Sequence, residues 1–295
     1  MRLHIFFGFL KKRKGFRQVV LRGMIAGLAF YCLPCLSADE YSANPPRLSN
    51  SELGNEAYKA ENYEQAIAFF RKAKAEAEDK SDLQSAYEQL IASYLKALRA
   101  EDARRELAEY EAKLPAAGIG RRTIYRADLL LLERKYADAE KILEGMMKGG
   151  AISGQLYFHL LSSLGYAQRM QNKWESAAET YRMLEQVGGG TEWEFTAFVN
   201  RTLCLIKQGK FKDAATLLAG TARYHAEKNY LQVEVLQFYL LTEGKKFDEA
   251  RKYYQALRER LPDGADPLLY NTQMAAAKYF MEQKQPGNAV VFLQD

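Results

Sequence analysis

Seven alanines recur along this chain at near-constant spacing: Ala66, Ala103, Ala139, Ala177, Ala214, Ala250 and Ala289, separated by 37, 36, 38, 37, 36 and 39 residues. Four residues after each stands a large side chain: Phe70, Leu107, Leu143, Tyr181, Leu218, Tyr254 and Leu293. An offset of four is one helical turn, so both residues face the same way. Three residues before the alanine, five copies carry an aromatic: Tyr63, Tyr136, Trp174, Phe211 and Phe247. Twelve before it, five copies hold a small residue (Gly54, Ala127, Gly165, Thr202, Ala277), against Ile91 and Phe238. Small residues at these two places let two antiparallel helices approach closely, with the aromatic plugging the turn between them. A period of this length means helical repeats, and no single pair buries its own apolar face, so neighbours must stack. Only 7 prolines and 20 glycines in 295 residues argue against a turn-rich sandwich or barrel.

Local signals sharpen the repeat. Ser49-Asn50-Ser51-Glu52 reads as a capping box starting the first helix. Turns are expected at Glu61-Asn62, Gln171-Asn172, Gln208-Gly209 and Glu243-Gly244, and Gly188-Gly189-Gly190 reads as a loop between repeats. Leu53-Gly54-Asn55-Glu56-Ala57-Tyr58-Lys59, Asn62-Tyr63-Glu64-Gln65-Ala66-Ile67 and Phe70-Arg71-Lys72-Ala73 together resemble a tetratricopeptide repeat. Leu164-Gly165-Tyr166, Asn172-Lys173-Trp174-Glu175-Ser176-Ala177 and Tyr181 resemble it again, and Pro115 and Pro262 stand where that family often ends its second helix. The resemblance covers roughly residues 47–295. The period departs from the family's usual length of about 34, which implies longer turns between pairs. The repeats at Ala139, Ala214 and Ala289 match only in their second halves.

The resemblance implies an all-α, right-handed superhelical solenoid of about seven helix-turn-helix repeats, occupying residues 49–295, with the last repeat incomplete at Asp295. In this family the first helix of each pair lines an inner groove that contacts partners. Offsets from the alanines then nominate Asn55, Tyr58, Lys59, Lys96, Asp128, Tyr166, Arg169, Lys207 and Tyr239 as the partner-binding groove. Tyr166, Arg169 and Tyr239 are expected off the packing stripe, as aromatic and arginine anchors. The lysine–asparagine set with which relatives grip chaperone carboxylates is not carried over: only Asn55 fits, and Ser51 stands where a lysine belongs.

The charge pattern assigns the basicity to a leader. The chain has 42 basic and 37 acidic residues, a net of +5; seven of the basic ones lie in residues 1–38, which hold no acidic residue, leaving 35 against 37 beyond them. That balance gives no general pull on nucleic acid or on anionic membranes. After Arg22, residues 23–36 carry no charge, Ser37 and Ala38 follow, and acidic chain begins at Asp39. This is the layout of an export signal, cleaved after Ala38 or Ser37. The charge-free residues 23–38 number sixteen, short of the roughly 20 that span a bilayer. Retention as an inner-membrane anchor over residues 19–38 is the alternative, and translation starting further in is another. Residues 39–48, with Pro45 and Pro46, form a lead-in. Cys32 and Cys35 fall in the leader, so their spacing is accidental rather than a redox motif, and Pro34 is wrong for lipidation at Cys35.

No catalytic constellation survives scrutiny. Outside the leader the histidines are His159 and His225, neither near ligands at metal spacing. His159 reads as a surface or edge histidine, with a groove contact as the alternative. Glu175 and Glu179 form an ordinary solvated helix face, and Cys204 between Leu203 and Leu205 reads as buried packing. No metal or cofactor is expected. The expected function is a non-enzymatic protein-interaction scaffold of the cell envelope, with a protein or peptide partner in the groove and the membrane met only through an uncleaved leader. The alternative is the substrate-recruiting module of a larger enzyme continuing beyond residue 295.

Overall fold

The computed structural model describes residues 48–150, 152–220, 227–258 and 267–293, and among them every regular element is helical. The leader, residues 39–47 of the lead-in, His225 and Pro262 lie outside the described residues. Fourteen helices pair in sequence: α1 (Asn50–Lys59) with α2 (Tyr63–Glu76), α3 (Lys80–Lys96) with α4 (Ala100–Lys113), α5 (Ile119–Leu132) with α6 (Tyr136–Lys148) and α7 (Gly154–Met170) with α8 (Trp174–Val187). Then come α9 (Glu192–Lys207) with α10 (Phe211–Ala219), α11 (Glu227–Glu243) with α12 (Phe247–Arg258) and α13 (Pro267–Glu282) with α14 (Pro286–Val290). The capping box forms as expected: the Glu52 N–H donates to Ser49 Oγ at 3.2 Å, and the Ser49 N–H donates to Glu52 Oε2 at 2.8 Å. α4 ends two residues before Pro115.

All seven repeat alanines are fully buried. The partner four residues on is buried in six copies. Leu293 is the exception, at 51% exposed. The reason is local: α14 stops at Val290, so Leu293 loses helical register and Phe292 turns inward instead, against Phe238, Tyr254 and Phe280. The small residue twelve places earlier does what its spacing promised. A Cβ at Gly54 would stand 2.4 Å from the Phe70 ring, and one at Gly165 would stand 2.8 Å from the Tyr181 ring. The close helix approach and the large ring are one device: the ring occupies the volume that the glycine leaves free.

The aromatics expected to plug the turns each open a second helix. Tyr63, Tyr136, Trp174 and Phe247 are partly buried, whereas Phe211 is exposed. Two of them also reach the next repeat, Tyr136 edge-on to Tyr166 at 6.3 Å and Phe247 stacked on Tyr279 at 3.6 Å. The packed interior is correspondingly distributed. It consists of four successive apolar clusters strung along the chain, each drawing on neighbouring repeats, as expected for a solenoid stabilised by nearest-neighbour interfaces.

The turns hold a regularity that residue types alone conceal. In every pair, the residue five places before the alanine has positive φ: Glu61, Leu98, Arg134, Asn172, Gly209, Lys245 and Lys284. The following N–H then donates to the carbonyl five residues back, as in Asn62 to Ala57 (2.9 Å) and Arg99 to Tyr94 (2.9 Å). This is the Schellman closure of a helix end, repeated seven times. Glycine is favoured there because side chains crowd the left-handed region, yet only one copy uses it. Leu98, at φ 60° and 61% exposed, pays the strain with little packing in return. Leu98→Gly is therefore expected to raise stability by about 0.5–1 kcal/mol, read as a higher denaturation midpoint at unchanged m-value.

Candidate functional site

Successive first helices pack on one another, α3 on α5, α5 on α7, α7 on α9, α9 on α11 and α11 on α13, while successive second helices make no comparable contact. Elements drawn together on one side and splayed on the other define a curve, with the first helices on its inner face. The nominated residues all sit on these helices.

Asp128 on α5 is the hub of the inner face. Its Oδ1 accepts from the Ser163 hydroxyl at 2.8 Å, and its Oδ2 lies 2.9 Å from His159 Nε2. Both partners come from α7. The His159 ring stacks at 6.4 Å on Trp193 of α9, whose indole N–H donates to Gln155 Oε1 at 3.1 Å. Tyr58 on α1 also faces this region. Burial first, then the neighbouring Tyr63 hydroxyl and the charges of Asp128 and Glu192, raises its hydroxyl pKa. Burial lowers the pKa of Lys96 on α3, against the opposing pull of Asp128, Glu192 and Glu61. Three first helices, α5, α7 and α9, thus bring polar and aromatic groups to one patch, and Tyr58 on α1 and Lys96 on α3 lie within its electrostatic reach.

Sequence reasoning found Tyr58, Lys96 and Asp128 but not Ser163, Gln155, Glu192 or Trp193. His159, read as a surface or edge histidine with a groove contact as the alternative, lies on the inner face beside Asp128. The missed groups lie one to three helical turns nearer the helix N-terminus than the offsets used, where residue types differ from repeat to repeat and leave no periodic signal.

The other nominated residues lie elsewhere on the inner helices. Asn55 is half-buried on α1, and Lys59 is exposed at its end. Arg169 lies 5.4 Å above the Tyr166 ring, and its Nε is buried without a hydrogen-bond partner. Its charge also reaches the Tyr181 hydroxyl and the Cys204 thiol, so this arginine closes onto the α7–α8–α9 packing. Cys204 itself is buried, as expected, and burial pushes its thiol up to about 12, which keeps it protonated and inert. Lys207 lies 5.2 Å above the Tyr239 ring and 3.5 Å from Glu243. Tyr239 departs from expectation: it is 6% exposed and belongs to the packed cluster with Phe198, Val199, Leu203 and Ile206. α11 lies directly against α9, and the ring fills the seam between them rather than standing free. Glu175 and Glu179 are solvated, the latter paired with Arg182 at 2.6 Å.

No known protein-family profile matches the chain, and no curated protein does. Solved structures do. A Rap protein complexed with competence and sporulation factor aligns at a TM-score of 0.56 and 13% identity, covering 83% of this chain and 72% of that one. PilF of Pseudomonas aeruginosa aligns at 0.54 and 16%, covering 79% and 96%. The apo form of RapI aligns at 0.51 and 15%, covering 83% and 72%. The fold is a tetratricopeptide-like helical solenoid. Its repeat unit is longer than usual, with alanine spacings of 36 to 39 residues, and the solenoid presents the Asp128 patch on its inner face.

Proposed function

We propose that this tetratricopeptide-like solenoid is a non-enzymatic adaptor of the cell envelope that grips an extended segment of a partner protein on the inner face of its first helices. One observation carries the reading: Asp128, His159, Ser163 and Trp193 are brought together from three helices, with Tyr58 and Lys96 from two more within electrostatic reach of Asp128. Aromatic faces beside fixed donors and acceptors suit a peptide backbone and its anchoring side chains. In support, a Rap protein of the same fold was solved as a complex with competence and sporulation factor. The envelope assignment rests on the seven-residue basic excess of residues 1–38 and the charge-free run before Ser37-Ala38.

Photo-crosslinking in intact cells tests the groove. A photoreactive side chain at Trp193 or Tyr58 should trap the same partner, whereas one at the exposed Ala68 of α2 should trap none. Equal trapping from Ala68, or none from the inner face, would remove the groove as the binding surface. The intact mass of the trapped protein tests location: a mature chain beginning at Asp39 or Ala38 is expected in the envelope fraction, and a cytosolic species retaining Met1 would contradict export.

A further inference from the structure

The arginines of the first helices are answered, with one exception. On α5, Arg121 pairs with Glu88 at 3.0 Å and Arg126 with Glu111 at 2.6 Å, and on α9 Arg201 pairs with Glu185 at 2.8 Å. Arg122 donates to the Pro115 carbonyl at 2.6 Å. Arg169 on α7 bonds neither a carboxylate nor a carbonyl among the described residues. It is half-buried, its Nε is buried without a partner, and its charge meets the Tyr166 ring at 5.4 Å, the Tyr181 hydroxyl and the Cys204 thiol. A guanidinium drawn out of water without a counter-charge is costly.

The surroundings add positive charge. Arg134, exposed at the turn between α5 and α6, pairs with no carboxylate among the described residues, and its charge and that of Arg169 both act on the Tyr166 hydroxyl. That hydroxyl is bonded to the Tyr136 hydroxyl, and the two rings meet edge-on at 6.3 Å. The acidic groups of this turn are engaged elsewhere: Glu133 with Arg104 and Lys135, and Glu140 with Lys173.

The repeat itself shows what belongs there. Tyr166 and Tyr239 both stand eleven residues before their alanine, and each has a cation over its ring, Arg169 at 5.4 Å and Lys207 at 5.2 Å. Seven residues before the alanine, the Tyr239 copy carries Glu243, which lies 3.5 Å from Lys207 and whose charge reaches the Tyr239 hydroxyl. The Tyr166 copy has Met170 at that place. The carboxylate that completes the arrangement in one repeat is missing from the other.

We infer that Arg169, Arg134 and the Tyr136–Tyr166 pair receive an acidic side chain, Asp or Glu, of the partner segment in the inner groove. This rests on the reading of the first helices as the partner-binding face, and it gives that face a second contact of opposite sign. Tyr166 stands at the same offset from its alanine as Asp128 does in the preceding repeat, so one extended segment passes both. A carboxylate bonded by guanidinium and hydroxyl groups makes charge-assisted hydrogen bonds, stronger than neutral ones, and it neutralises a cation that the fold leaves half-buried.

The test uses the full-length protein and pentapeptides with acetylated and amidated ends, in which alanines flank a central Glu or a central Gln. Binding is read from NMR shifts of the arginine Nε–H and tyrosine ring signals. The Glu peptide is expected to give saturable shifts and to bind about tenfold or more tightly than the Gln peptide. Arg134→Gln removes an exposed side chain and should weaken Glu-peptide binding at an unchanged melting temperature. Met170→Glu supplies the carboxylate from within, as Glu243 does, and should abolish binding while raising the melting temperature. Equal binding of the two peptides, or Glu-peptide binding that survives both variants, would overturn the site. So would a preference for an all-alanine peptide with a free C-terminus over the blocked Glu peptide. The two readings fail separately: a groove that traps a partner by crosslinking but ignores the Glu peptide removes this site alone, and a Glu peptide bound where no partner is trapped removes the adaptor alone.

Discussion

Tyr181→Ala is expected to cost about 3–5 kcal/mol, the range for emptying a large buried aromatic site, and the damage should be confined to part of the chain. The ring is fully buried, and it fills the space that a side chain at Gly165 would need. Its loss leaves a cavity bordered by a glycine, which has no atoms to move in. Ala177, Leu161, Leu184 and Cys204 share the same cluster, whereas Phe70 and Tyr87 belong to another. In a linear array stability is set by neighbouring interfaces. Hydrogen exchange on the variant should therefore show lost protection from α7 through α9 and near-native protection in α1 and α2. Uniform loosening of the first repeat as much as the fourth would contradict this. The pairing can be isolated by a double-mutant cycle. Gly165→Ala alone overpacks the ring and should cost about 1–3 kcal/mol, but in the Tyr181→Leu background much of that cost should vanish, giving a clear coupling energy.

That pair also shows why so much of the fold was legible. Gly165 and Tyr181 are sixteen residues apart, and the same offset joins Gly54 to Phe70. A contact that recurs at fixed spacing leaves a periodic trace, which a single sequence can display without any relatives to compare. Helix pairing, the buried alanines and the turn positions all followed from it. The failures have the opposite character. The left-handed turn residue recurs in geometry but not in chemistry, because Glu, Leu, Arg, Asn, Gly and Lys all occupy it. Leu293 failed because α14 ends before it, and Tyr239 because the depth of the α9–α11 seam depends on the helix approach rather than on an offset. The inner patch failed in part for the same reason. Asp128, His159 and Trp193 meet across three repeats, and contacts that occur once have no period.

Trp193→Ala is expected to weaken partner binding by about 2–4 kcal/mol, the cost of removing an interface anchor, which is on the order of 30- to 1,000-fold in Kd. The indole is partly exposed and held by one bond to Gln155 and by the stacked His159 ring. Both restraints fix its orientation before any partner arrives, so little entropy is lost on binding. The segment trapped by crosslinking, synthesised as a peptide, supplies the ligand for titration calorimetry. Trp193→Phe, which keeps an aromatic face but loses the N–H donor, should recover most of the affinity if stacking dominates. Asp128→Asn should act differently. It keeps an oxygen for Ser163 while removing the charge that faces His159, Tyr58 and Lys96, so its effect should exceed that of an exposed carboxylate on the same helix face. Thermal melts run beside each titration separate binding from folding. A Trp193→Ala protein that binds normally, or one whose lost affinity is matched by unfolding at the assay temperature, would move the contact away from this patch.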